Sequence, residues 1–400
     1  MKVSELCLQK ENVMDIQTID KEYIASTYGR FPLTIVSGKG SLVYDVTGKE
    51  YIDLSTGIAV NTFGIADNLW KEAVIKQLDT LQHMSNLYFT EPCAKLAQLL
   101  CEKTGMRKVF FSNSGAEANE CAIKAARKYA ADKKGKDYFT IITLKNSFHG
   151  RTITTLAATG QDVFHQDFTP LTEGFVYAEA NDLKDIKKLL AAHQCAAILL
   201  EVVQGEGGVN PLKADYLKAV AELAQKEDVL LICDEVQTGN GRTGQLYGYM
   251  NYGITPDIVS TAKGLAGGLP LGATLLGEKV QDVLTPGSHG STFGGNPVCC
   301  AGALSILSRL DEEMLSQVRV KSDYIKKELE GALGIVSVTG LGLMLGIKTE
   351  KDAGLVIQEC MEKGVLVIKA KDKVRLLPAL NIPMELLEKA VDVIKEVCGN

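Results

Sequence analysis

Among the ten cysteines there is no CxxC pair, which removes the usual spacing of zinc ribbons and dithiol redox sites. Most of them sit in apolar runs, so they read as reduced core thiols of a cytoplasmic protein. The five histidines, His83, His149, His165, His193 and His289, show neither HxxH nor HExxH spacing, and no metal site is expected. No GxxxxGK[ST] loop is present, which excludes a nucleoside-triphosphate site of that kind, and no GxSxG elbow is present either. No apolar run approaches the ~20 residues that span a bilayer. The first fifteen residues, broken by Glu5, Lys10, Glu11 and Asp15, lack the apolar core of an export signal. An excess of basic charge is also missing: 43 basic against 49 acidic side chains leave a net −6, so neither nucleic acid nor a membrane surface is an expected partner.

What is present is an ordinary globular composition, 46% hydrophobic and 23% charged, in 400 residues. That length suits two or three domains at roughly 150 residues each. The middle of the chain carries seven short apolar runs, at 108–111, 138–144, 175–177, 196–200, 229–233, 258–261 and 273–276. Helical periods at 116–131, 183–192 and 216–225 lie between several of them. This alternation predicts an α/β fold with a mostly parallel seven-stranded sheet covered by helices. Turn signals before residue 60 predict a small antiparallel hairpin. Helical patterns at 311–333 and 384–397, with short apolar runs between them, predict a smaller α+β unit.

Ligands of such sheets sit beyond the carboxyl ends of strands, and the unusual motifs fall there. SNSGAEANE at 112–120 follows one run and opens a helix, so Gly115 and Ala116 offer free amides at a positive dipole end, which suits a phosphate. The plain alternative is a helix capped by Ser114. In LLICDEVQTGNGRTG at 230–244 a strand ends in Asp234, whose buried charge calls for a cationic partner: a protonated ring nitrogen, a metal or an arginine. GNGRTG also fits GxGxxG, but no helix follows it, and it reads as a flexible loop rather than a dinucleotide fingerprint. Lys263 stands just past a strand, where burial would make its amine nucleophilic; a solvated loop lysine is the alternative. NSFHGRT at 146–152 offers Phe148, His149 and Arg151, and GSHGSTFGGNP at 287–297 offers Ser291 and Thr292. A phosphate cradle, an aromatic, a strand-end aspartate, a lysine and a hydroxyl-bearing loop are together what a pyridoxal 5′-phosphate (PLP) site needs.

On these motifs, with GKGSLVYDVTGKEYIDLSTGIAVNTFG at 38–64, EVVQGEGGV, HGSTFGGNP and VRLLPALNI, the chain resembles the class III (ω-type) aminotransferases of the fold-type I PLP enzymes over nearly its whole length. The likeness is greatest to the acetylornithine branch. The resemblance implies a large cofactor-binding domain at 61–295 and a small domain from 1–60 and 296–400. It implies Gly115 and Ala116 at the phosphate, Phe148 on the cofactor ring, Asp234 at the pyridine nitrogen, Gln237 at the phenolic oxygen and Lys263 as the Schiff-base lysine. It also implies a homodimer in which Thr292 reaches the neighbouring site. Arg151 would clamp the substrate α-carboxylate with Ser291 nearby, and Glu206 with Arg375 would gate between an ω-amine donor and a dicarboxylate. The implied reaction moves the δ-amino group of N-acetylornithine to 2-oxoglutarate. Ornithine, succinylornithine or 4-aminobutyrate are alternative donors, an aminomutase is a remoter relative, and an NAD-linked oxidoreductase or a non-catalytic PLP-binding protein are readings from other classes. Two departures stand out. Gly64 is followed by Ile65, Ala66, Asp67 and Asn68 where the family has GHxHP, and Glu201-Val202 replaces its EP; the first change puts substrate choice at issue.

Overall fold

The structure is a computed structural model that describes residues 15–400; the reading of an absent export signal falls mostly on residues outside that range, as does Cys7. In chain order the strands are β1 (Ile35–Lys39), β2 (Leu42–Asp45), β3 (Glu50–Asp53), β4 (Lys108–Ser112), β5 (Thr140–Leu144), β6 (Phe175–Ala178) and β7 (Cys195–Leu200). A two-residue ladder, β8 (Val203–Gln204) with β9 (Asn210–Pro211), precedes β10 (Leu230–Asp234), β11 (Ile258–Thr261) and β12 (Gly272–Leu276). The last five are β13 (Ile335–Leu341), β14 (Met344–Thr349), β15 (Val365–Leu366), β16 (Ile368–Ala370) and β17 (Lys373–Leu376).

Seven of these form the large sheet in the order β4-β12-β11-β10-β7-β5-β6. All its pairings are parallel except those of β12, which runs against both β11 and β4. The fold is therefore the α/β architecture with a mostly parallel seven-stranded sheet. The continuous apolar runs CAAILL and LLICD become β7 and β10, buried along their whole length because helices cover both faces. The helix Gly115–Lys134 turns Ala118, Cys121, Ala122, Ala125 and Ala126 inward, and such small side chains let it lie close to the sheet. The strand expected from 138 starts at Thr140, because the Tyr138 amide donates to the Gly135 carbonyl (3.1 Å) and closes a turn.

Beyond the large sheet, β13-β14-β17-β16 form an antiparallel sheet. The predicted helices of this region appear as Glu312–Leu329 and Met384–Gly399, with a further one at Ala353–Glu362. The first is capped by Asp311, which accepts from the Met314 amide (2.9 Å). The expected amino-terminal hairpin is present as β1-β2-β3, and β15 extends it in parallel along β3. One apolar cluster runs from Leu54 to Cys398 and joins all these parts. The nine cysteines of the described residues are free thiols.

Candidate active site

Four adjacent strands of the large sheet, β11, β10, β7 and β5, deliver Lys263, Asp234, the 201–206 turn and the 146–151 turn to the same edge. Asp234 ends β10 and is buried. Its Oδ2 accepts from Asn119 Nδ2 (2.7 Å) and lies 2.8 Å from His149 Nδ1, while its Oδ1 accepts from the Val236 amide (3.0 Å). Among the described residues no arginine or lysine pairs with it. Asn119 in turn donates to the His149 carbonyl (2.8 Å) and accepts from Ser260 Oγ (2.6 Å). One amide thus ties the helix Gly115–Lys134 to the ends of β10, β11 and the 146–151 turn. Sequence reasoning passed over Asn119, although a polar residue on a helix face otherwise built of Ala118, Ala122 and Ala126 was a legible signal.

At the start of that helix both readings of SNSGAEANE are realised. Ser114 caps it, accepting from the Glu117 amide (3.2 Å), and the Glu117 carboxylate accepts from the Asn113 amide (2.6 Å) one residue before the cap. Gly115 and Ala116 follow at the first helical positions, where amides have no intrahelical acceptor. A Cβ on Gly115 would meet Val236 Cγ1 at 2.6 Å, so only glycine lets this turn lie against the residue two past Asp234.

Lys263 follows β11 with a left-handed backbone (φ 45°), a conformation that costs a non-glycine residue energy and is typical of functional turns. Its neighbours hold it there: Thr62 Oγ1 donates to the Gly264 carbonyl (2.7 Å) and Asn240 Nδ2 to the Ala262 carbonyl (3.0 Å). The amine makes no hydrogen bond among the described residues. Desolvation lowers its pKa below the usual lysine value, although the charges of Glu206 and Asp234 pull the other way. It is therefore not the solvated loop lysine of the plain reading.

Arg375, buried on β17 between Gly346 and Ile368, reaches Glu206 Oε1 (2.6 Å) and Gln237 Oε1 (3.1 Å) with Nη1. Gln237 also donates to Glu206 Oε1 (3.3 Å). Burial pushes the Glu206 carboxyl up, but the charge and hydrogen bonds of Arg375 outweigh it and hold the pKa below the usual range. Glu201, fully enclosed at the end of β7, accepts from the Phe148 amide (2.9 Å) and the Gly205 amide (3.1 Å), so one carboxyl anchors both neighbouring turns. Burial raises its pKa to about 7.

Phe148 is half-buried, and Arg151 is exposed above it, its guanidinium carbon 5.5 Å from the Phe148 ring centre. Ser291 and Thr292 are not brought to Arg151 by any contact within the described residues. Ser291 Oγ instead accepts from Asn113 Nδ2 (3.0 Å) and from the Gly294 amide (3.0 Å), and Thr292 is exposed. The loop expected at GNGRTG is not a flexible one. Its residues are buried, and Arg242 donates to the carbonyls of Leu343 (3.1 Å) and Pro378. The departure at 65–68 has a structural account. Asp67 caps the helix Asn68–Leu78, accepting from the Trp70 amide (2.9 Å), and pairs with Arg309 (2.8 Å). Val202 is buried against Gly248, where a Cβ would meet its Cγ2 at 2.6 Å.

The donor set fits PLP. It holds free amides for a phosphate, a carboxylate with no lysine or arginine partner among the described residues, an amine of lowered pKa without a hydrogen bond, and a buried His149 whose Nε2 has no partner.

Comparison with known proteins agrees with this chemistry. The family model described as Aminotransferase class-III matches residues 23–398. An acetylornithine aminotransferase of Haemophilus ducreyi is 51% identical over 384 residues, covering 96% of this chain and 98% of the relative. A succinylornithine transaminase of Salmonella paratyphi A is 44% identical, covering 94% and 95%. Among solved structures, an ornithine aminotransferase of Toxoplasma gondii, described with PLP in partial occupancy at its active site, superposes with a TM-score of 0.91 at 32% identity, covering 96% of this chain and 93% of its own.

Proposed function

This chain belongs to the class-III aminotransferases, PLP-dependent enzymes, and from that premise we propose that it moves the δ-amino group of N-acetylornithine to 2-oxoglutarate. The observation that carries the reading is the ion pair of Glu206 with Arg375, set against an Arg151 that has no ion pair among the described residues. One guanidinium is open to a carboxylate while the other is masked, as a donor with a single carboxylate requires.

Gly115 and Ala116 amides would hold the phosphate of PLP, Phe148 its ring, Asp234 its pyridine nitrogen, Gln237 its phenolic oxygen and Lys263 its aldehyde. Bound PLP supplies an aldehyde that captures the amine and a ring that takes up electrons. The chain's own residues do the rest. Arg151 pairs with the donor's α-carboxylate through a planar fork. The Lys263 amine, its pKa lowered by desolvation, would take a proton from the donor's δ-carbon and pass it to the bound cofactor in the first half-reaction, and would give a proton to the α-carbon derived from 2-oxoglutarate in the second. When 2-oxoglutarate enters with two carboxylates, Glu206 releases Arg375 to take one of them.

The same reading makes the enzyme a homodimer acting in the cytoplasm, with Thr292 contributed to the neighbouring site and with large and small domains at 61–295 and at 1–60 with 296–400. Support for a partner comes from the exposed Thr292 and from Leu87 and Phe89, large apolar side chains lying almost wholly in solvent in the single chain. A succinylated donor is the second reading, favoured by the succinylornithine relative. The test is kcat/KM with 2-oxoglutarate for N-acetylornithine, N-succinylornithine, ornithine and 4-aminobutyrate. N-acetylornithine should lead, and preference for a donor without an acyl group would refute the proposal.

A further inference from the structure

Arg151 makes no hydrogen bond and no ion pair among the described residues; two aromatic rings are what hold it. The nearer is Phe164, whose ring centre lies 4.1 Å from the guanidinium carbon, while Phe148 stands at 5.5 Å. The two rings meet each other edge to face, 5.9 Å apart at 80°. Phe164 lies outside every motif that marks this family's chemistry, on a single turn at Asp162–Phe164.

That turn is pinned on both sides. The Phe164 amide donates to the Gln161 carbonyl (3.0 Å), and the buried Gln161 donates to the Ser147 carbonyl (2.9 Å). On the other side His165 Nε2 lies 3.0 Å from the Leu156 carbonyl. Phe164 and Glu206 also line one cavity of about 610 Å³, together with Asn146, Gln161 and Lys371. The ring that supports one guanidinium and the carboxylate that masks the other therefore face the same space.

We propose that Phe164 is the positioning residue for Arg151, its ring face holding the guanidinium flat so that the N–H edges stay free for the donor's α-carboxylate. A stacked guanidinium keeps its in-plane donors unspent and loses little rotamer freedom when it binds, which is why the arrangement suits bidentate recognition. The edge-on contact with Phe148 fixes the distance between this carboxylate site and the ring-stacking residue. The inference rests on the reading of Arg151 as the carboxylate clamp, and the experiment separates the two.

The ligand to use is N-acetylnorvaline, the donor without its δ-amine, titrated calorimetrically into the PLP-loaded enzyme. Phe164→Leu removes the ring face and should raise its Kd about three- to thirtyfold, the range expected for a cation–π contact, while Phe164→Tyr keeps the face and should stay within about twofold. In single-turnover kinetics Phe164→Leu should raise KM for N-acetylornithine by the same factor with kcat nearly constant. N-(4-aminobutyl)acetamide, the donor lacking only the carboxylate, should lose no more than about twofold. Equal losses with both donors, or a Tyr variant as weak as the Leu variant, would overturn the inference. If Arg151→Ala weakens N-acetylnorvaline and Phe164→Leu does not, Phe164 has no such role. If Arg151→Ala leaves the Kd unchanged, the clamp reading fails and the inference goes with it.

Discussion

Glu206 and Arg375, 169 residues apart in the chain, meet with Oε1 and Nη1 2.6 Å apart, and Gln237 touches both. Arg375 is almost wholly buried, so its charge is balanced by this partner rather than by water. Removing one member of a desolvated, hydrogen-bonded pair costs on the order of 2–5 kcal/mol. In Glu206→Gln the exposed need of Arg375 for a carboxylate should shift kcat/KM from N-acetylornithine toward glutamate by a factor of tens. An unchanged ratio would show that this pair does not govern substrate choice.

Asp234 should matter by its charge, because Asn119, His149 and the Val236 amide already satisfy its geometry. Asp234→Asn keeps the shape. Its kcat should fall by at least about a hundredfold, the scale of one lost charge interaction in a transition state, with the fold intact by circular dichroism. Lys263→Ala should lose turnover altogether and hold PLP weakly by absorbance.

Arg242 is a buried cation with no carboxylate partner among the described residues, and burial lowers its pKa to about 9. Arg242→Met should nevertheless destabilise the protein, by about 2–6 kcal/mol, because it strands the carbonyls of Leu343 and Pro378 at roughly 1–3 kcal/mol each. The urea midpoint of the PLP-free protein measures this. A midpoint at or above that of the parent would mean that the buried charge costs more than its hydrogen bonds return.

Glu235, the neighbour of Asp234, accepts from Thr238 Oγ1 (2.6 Å) and from the Gly248 and Tyr249 amides (2.7 and 2.8 Å), yet burial outweighs these and raises its pKa to about 7. Between the ordinary glutamate range and about pH 7 the folded chain keeps a proton that the unfolded chain releases. Stability from this group therefore falls as pH rises through that window and levels off above it. Glu201 adds a fall of the same sign. Glu235→Gln should reduce the slope of urea stability between pH 5 and 7 by about one proton's worth, roughly 1.4 kcal/mol per pH unit at most. Because its amide nitrogen must face a backbone N–H, the variant should also be less stable overall.

The parts of the fold that local pattern dictates were legible. The helix at Leu183–Ala192 and the strand at Ile258–Thr261 coincide with their apolar patterns, because what each buries, one stripe of the helix and the whole of the strand, is set by residues close in sequence. Boundaries moved where a single hydrogen bond decides them, as at Tyr138, or where a cap lies just outside the helix, as at Asp311. The strand-end aspartate and the lysine were readable as chemistry out of place. Asn119 was readable as a polar residue on a small apolar helix face, but Phe164 and the burial of Arg242 were not, since they gain their meaning from partners 13 and 136 residues away, Arg151 and the Pro378 carbonyl. A residue whose partner is so distant looks ordinary among its chain neighbours.

The pairing of β3 with β15 carries a consequence for synthesis on the ribosome. The large sheet is complete once β12 emerges, but β3 meets its parallel neighbour about 310 residues after its own translation, which at roughly 5–20 residues per second is on the order of 15–60 s. For that time β3 is an open strand edge on a nascent chain, the kind of surface that recruits other chains.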